Sequence, residues 1–184
     1  MIVVFDTSTL IFLFKPDALG PHFPESSDRV DSCDLRITHL LSQLQKSKSR
    51  IVIPTPALAE LLTYAGDAGP AWLGVLSTSK HFRIAPFDVL AAIECADLAR
   101  RRLGAGKQTQ AERRKAKFDE QIVAIAAVEN ASVIYSDDAD IRKLAAGKMD
   151  VMGMANMHLP PQDAQGSLMF DPLANDPQAS EDEA

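Results

Sequence analysis

Met1–Phe14, MIVVFDTSTLIFLF, is the stretch whose reading decides the fold. Ile2 to Phe5 form a short apolar run with β-branched character, long enough for one buried strand. The run ends on Asp6, after which Thr7, Ser8 and Thr9 offer hydroxyls able to cap a following helix. A carboxylate at the carboxyl end of a central strand stands where open α/β sheets bind their ligands. Asp6 is therefore either a helix cap or the first acid of a site. If Thr7 or Ser8 takes the capping role, Asp6 is free for other chemistry.

The whole chain, 184 residues, suits one domain with a sizeable core. Its 46% hydrophobic and 24% charged content is that of a soluble globular protein. A net charge of −6 excludes a protein coated in basic residues but permits a local basic patch. Neither Cys33 nor Cys95 stands in a metal-binding pair, and both read as structural thiols of a reducing compartment. The N-terminus has no basic region or small-residue cleavage site, and its apolar run is too short to span a bilayer. A cytoplasmic protein with no membrane partner is expected.

Residues 15–34, rich in Pro, Ser and Asp, read as an irregular insertion. Leu35, Ile37, Leu40, Leu41 and Leu44 then mark an amphipathic helix. Ile51–Ile53 is a second strand, and Thr55-Pro56 opens the helix ALAELLTYA. Glu60 lies among Leu58, Leu61 and Leu62, where burying a carboxylate is costly without a cation beside it. A short helix over 71–79 follows, then a strand over Phe82–Phe87. The helix over 89–103 is expected to face the core with Val89, Leu90, Ala92, Ile93, Ala96 and Leu98.

Residues 100–117 carry eight basic side chains against one acid, Glu112. This is either a solvated helix end or a seat for a phosphate backbone, with Arg113, Arg114 and Lys117 foremost. Phe118–Val128 reads as a buried helix with Asp119 in its first turn, near positive backbone N–H groups. Val133–Tyr135 is a fourth strand. It runs into Ser136-Asp137-Asp138-Ala139-Asp140, so a short apolar strand again ends on acids and opens a helix, here 141–146. Asp150–Met152 is a fifth, edge strand. Residues 1–158 are expected to be one domain, and 159–184 an acidic, flexible tail.

Strands alternating with helices imply an α/β protein with a short central parallel sheet between helical layers. Its strand ends share one edge, where Asp6 and the Asp137–Asp140 cluster converge, and helices starting there bring Glu60 and Asp119. Crowded carboxylates repel one another unless a divalent cation sits among them. Oxygen ligands with no companion His or Cys favour Mg²⁺ or Mn²⁺. Such acid clusters serve phosphoryl chemistry, with the metal activating water and orienting a phosphate. No Walker loop or GxGxxG is present, which argues against a bound nucleotide cofactor.

VVFDTSTLI, PALAELL and FDEQIVAIAAVENASVIYSDDADI, in that order, resemble the PIN domain, the nuclease fold of VapC-type toxins, over most of residues 1–152. The resemblance implies a three-layer α/β/α fold and a Mg²⁺- or Mn²⁺-dependent ribonuclease. It carries catalytic roles to Asp6, Glu60, Asp119 and Asp138, with Ser136 and Asp140 in support. Metal ligation is then expected at Asp6, Asp119, Asp138 and Asp140, and substrate contacts at Ser8, Arg113, Arg114, Lys117 and Ser136. The doublet Asp137-Asp138 leaves open which acid approaches the metal. The resemblance further implies an RNA substrate, a small antitoxin partner and a homodimer. Two other readings stand beside it. One is a phosphohydrolase with Asp6 as nucleophile, although Ser8 occupies the position where such enzymes carry a second Asp. The other is a silent binding module whose acids only cap helices.

Overall fold

Five strands, Ile2–Phe5 (β1), Arg50–Pro54 (β2), Phe82–Ala85 (β3), Val133–Tyr135 (β4) and Asp150–Met152 (β5), form one sheet in the order β3-β2-β1-β4-β5. The computed structural model describes residues 1–24, 26–103 and 110–161, apart from the side chains of 103 and 110–114. Every described strand pair is parallel. β1 is central, and Val3, Val4 and Phe5 are fully buried, as a strand covered on both faces requires. Helices Thr7–Phe14 (α1), Cys33–Lys46 (α2), Thr55–Ala65 (α3), Gly69–Thr78 (α4), Val89–Leu103 (α5), Gln110–Val128 (α6) and Ala139–Ala145 (α7) flank the sheet. The three-layer α/β/α architecture with a short central parallel sheet expected from the sequence is the one observed.

Parallel pairing aligns the ends of the two strands that matter. Phe5 stands opposite Tyr135, so Asp6 and Ser136, each one residue further on, emerge side by side. The Asp6 N–H donates to the Tyr135 carbonyl, which extends the ladder to the site's edge.

Two helices differ from expectation. α6 begins eight residues before Phe118, so Asp119 lies in the third turn and not near free backbone N–H groups. Gln, Ala, Glu, Arg and Lys are good helix formers, and a charged run continues a helix as readily as it forms a loop. α5 buries Ala91 and Leu98, whereas Val89, Leu90, Ala92, Ile93 and Ala96 are exposed. The face toward α6 runs through Ala91, Cys95, Leu98 and Arg102, because Arg102 Nε donates to Glu120 Oε1 at 2.5 Å. That ion pair, with Glu120 almost wholly buried, overrides the more apolar face.

The insertion is tied down where it is described. His22 and Arg29 bridge, Arg29 Nη1 donates to the Gly20 carbonyl, and Val30 and Cys33 are buried. A Cβ on Gly20 would lie 2.1 Å from the Val30 carbonyl oxygen, so no side chain fits there. After β5 a 3-10 turn, Met154–Asn156, buries Met154, and Met157 is buried beside it. The Met157 carbonyl accepts from Arg36 of α2. The expected acidic tail lies outside the described residues from 162 onward.

Breaking a buried charge pair costs far more than breaking an exposed one. Glu120→Ala is expected to lower stability by about 3 kcal/mol in urea denaturation, where removing one partner of a buried pair is the cause. Arg101→Ala removes the exposed Arg101–Asp97 pair on the same helix and is expected to cost under about 1 kcal/mol.

Candidate active site

Asp6 is positioned by β1 and held by two hydroxyls. Its backbone is the N-cap of α1, with its carbonyl accepting from Thr9 and Leu10, but its side chain makes no capping bond. Instead Oδ2 accepts from Ser136 Oγ at 2.8 Å and Ser8 Oγ at 3.1 Å. Thr9 is not a cap either, because its hydroxyl donates to the Tyr135 carbonyl. Burial raises the Asp6 carboxyl above its ordinary value, with the Ser136 bond opposing.

On the neighbouring strand the Ser136 hydroxyl also accepts from the Asp138 N–H, and Ser8 Oγ accepts from the Asp137 N–H. Ser136 is fully buried, so it holds Asp6 and the following turn in place and has no surface to offer a substrate. Among the three acids of that turn the roles separate. Asp137 turns inward, and its Oδ1 accepts from the Met154 N–H at 2.8 Å, an anchor for the 3-10 turn. A Cβ at Gly153 would lie 2.6 Å from that oxygen, so the anchor requires glycine. Asp138 turns outward as the N-cap of α7, with Oδ1 accepting from the Asp140 N–H.

Asp119, brought in by α6, faces Asp138 and Asp140, and ligand oxygens of the three lie within 4.8 Å of one another. Asp119 is 7% exposed, and burial is the main cause that pushes its carboxyl up to about 6, with the Lys115 ammonium opposing and the Asp138 charge adding. Asp6 is close enough for its charge to contribute as well. Glu60 lies apart from this trio. Its side of α3 is exposed while Pro56, Ala57, Leu58 and Leu61 face inward, so its leucine neighbours do not bury it. Its Oε2 accepts from Thr7 Oγ1 at 2.7 Å, and its charge reaches Asp6.

The basic segment behaves differently from a free cationic seat. Arg102 pairs with Glu120 and Arg101 with Asp97. Lys117 is exposed, while Arg113 and Arg114 have side chains outside the described residues. Lys115, absent from the expected site, reaches into the acids: its Nζ lies 2.7 Å from Asp138 Oδ2, 3.0 Å from Asp140 Oδ2 and 3.4 Å from Asp119 Oδ2. Burial works against this ammonium, yet its bonds to Asp138 and Asp140 hold it above the usual lysine value. The Lys115 bond to Asp140, with one from Lys143, lowers the Asp140 carboxyl. The spacing of Lys115 and Asp119, one helical turn apart, is the sequence signal for this contact.

No protein-family model and no curated protein sequence matches the chain. Solved structures do share its fold. A chain of VapBC2 from Rickettsia felis, bound to a DNA fragment from its promoter, superposes with a TM-score of 0.58 at 14% identity, over 83% of this chain and 98% of that one. A chain of DNA-bound VapBC from Salmonella typhimurium gives 0.53 at 18% identity, over 84% and 98%. At these identities the similarity is one of fold.

The raised Asp119 value makes a pH prediction with a definite sign. Its folded value, about 6, exceeds the ordinary 3.8, so the group favours the folded state only while protonated. The cost is absent below about pH 4 and fully present above about pH 6. Asp119→Asn, measured by urea denaturation in chelator, is expected to gain roughly 2–3 kcal/mol at pH 7.5. That gain should disappear as pH falls to 4, and a gain independent of pH would contradict the burial argument.

Proposed function

We propose that this chain is a divalent-metal-dependent ribonuclease that hydrolyses RNA phosphodiester bonds, and the toxin of a toxin–antitoxin pair. The observation that carries the reading is the convergence of Asp119, Asp138 and Asp140, with Asp6 alongside, at the carboxyl edge of the sheet. The likeness in fold to chains of VapBC toxin–antitoxin complexes supports it.

The donor set fits a metal. The three acids offer hard oxygens, no His or Cys is among them, and a cationic side chain already stands there. Asp119, Asp138 and Asp140 would hold Mg²⁺ or Mn²⁺, and Asp6 would ligate or orient from its buried position. When bound, the metal supplies Lewis acidity that activates water and offsets charge on the leaving oxygen. The Ser8 and Ser136 hydroxyls fix the Asp6 carboxylate by donating to its Oδ2. Glu60, held by Thr7 on the exposed side, would accept a proton or orient water at the rim. Lys117, with Arg113 and Arg114, would bind the RNA backbone as point charges and forks for phosphate.

The antitoxin would be a small protein that covers this cleft. Homodimerisation would cover apolar side chains left exposed on α5, namely Val89, Leu90 and Ile93. No helix among the described residues is long and apolar enough to cross a membrane.

Purified protein is expected to cut single-stranded or structured RNA with Mg²⁺ or Mn²⁺ present and to stop on chelation. Asp6→Asn and Asp119→Asn should each lower the rate by about 100-fold or more with the circular dichroism spectrum unchanged. Undiminished cutting of an RNA panel by either variant sinks the assignment.

A further inference from the structure

We propose that Lys115 is a built-in counter-ion of the acid trio, seated where a divalent metal would sit and displaced when the metal enters. The inference rests on the metal-dependent reading above and adds a residue that sets how readily the site loads.

The geometry is that of a seat and its occupant. Lys115 Nζ is within 3.4 Å of one oxygen from each of Asp119, Asp138 and Asp140. These are the same carboxylates whose oxygens cluster within 4.8 Å. A metal bound by those oxygens and an ammonium touching all three cannot share the space. Lys143 also touches Asp140, but through the other oxygen, Oδ1, and it reaches neither Asp119 nor Asp138 in any described contact.

Lys115 is able to leave. Its side chain is 53% exposed, and its long stem rises from α6 beside the cleft, so the ammonium can swing into water while the helix stays. The anchors of the acids are independent of it: Asp138 caps α7 through its own Oδ1, and α6 holds Asp119 by its backbone. The cleft then holds either the lysine or the metal and is never left with uncompensated carboxylates. At low divalent-ion levels the lysine keeps the site closed to metal.

Calorimetric titration with Mn²⁺ at pH 7.5 tests this on the full chain, alongside thermal unfolding in chelator. Lys115→Met is expected to bind Mn²⁺ about three- to tenfold tighter than wild type, the scale of losing a few partly exposed ion pairs as competitors. It should also melt about 2–4 °C lower in chelator, with the gap closing at saturating Mn²⁺. Lys115→Arg, which keeps the charge, and Lys46→Met, which removes an exposed charge from α2, should bind like wild type. Equal or weaker binding by Lys115→Met, or equal tightening by Lys46→Met, overturns the proposal and leaves the metal reading intact. If none of the four proteins binds Mn²⁺, the metal reading itself falls and the counter-ion role falls with it.

Discussion

Like charges gathered at one edge of a parallel sheet are the constraint that governs this protein. β1 and β4 are neighbours in register, so the acids that follow them cannot avoid one another. α6 adds Asp119 to the same edge. In a low-dielectric setting such a group must protonate, find hydrogen-bond donors or find a cation. All three remedies are visible. Asp119 is pushed up to about 6, Asp6 takes two hydroxyl donors, and Lys115 stands among Asp119, Asp138 and Asp140.

The remedies explain local choices in the chain that the sheet alone would not demand. Serine at 8 and 136 serves because a hydroxyl can donate to Asp6 and accept a backbone N–H at once. A valine or alanine at 136 would leave both the Asp6 oxygen and the Asp138 N–H without that partner in a buried place. The long α6 serves too, because its early turns carry Lys115 to a point one turn before Asp119. The site is expensive in stability, and the core bears that cost through the central strand and through helices whose buried residues pack around it.

The first four strands were legible because each is a short, mostly apolar run ended by Pro, an acid or a polar turn. The acid positions were legible because strand ends in a parallel sheet share an edge. What could not be read was which face of a helix wins when packing is decided by charge. α5 offered Val89, Leu90 and Ile93 to the eye, but a buried pair across to Glu120 turned the Arg102 face inward. Glu60 misled in the opposite sense: flanking leucines in sequence lie on other sides of a helix. The start of α6 is hidden in the sequence because charge carries no period of its own, and the contact of Lys115 is hidden with it.

Asp137 and Asp138 show how one residue's difference decides where a carboxylate points. Both follow the same strand, but the chain turns there and sends the two side chains apart. Asp137 accepts the Met154 N–H, and burial raises its carboxyl, with that bond as the opposing effect. Gly153 is pressed against it so closely that any Cβ would collide. That contact ties the segment after β5, and through Met157 the start of α2, to the base of the site. Asp138, facing the other way, caps α7 with one oxygen and presents the second to the cleft. An acid turned inward onto the Met154 N–H, with Gly153 pressed against it, cannot move toward a cation without disturbing the turn after β5. An acid fixed by one short cap bond can still offer its free oxygen, and this is why the cluster forms on Asp138 and Asp140 while Asp137 stays beneath them.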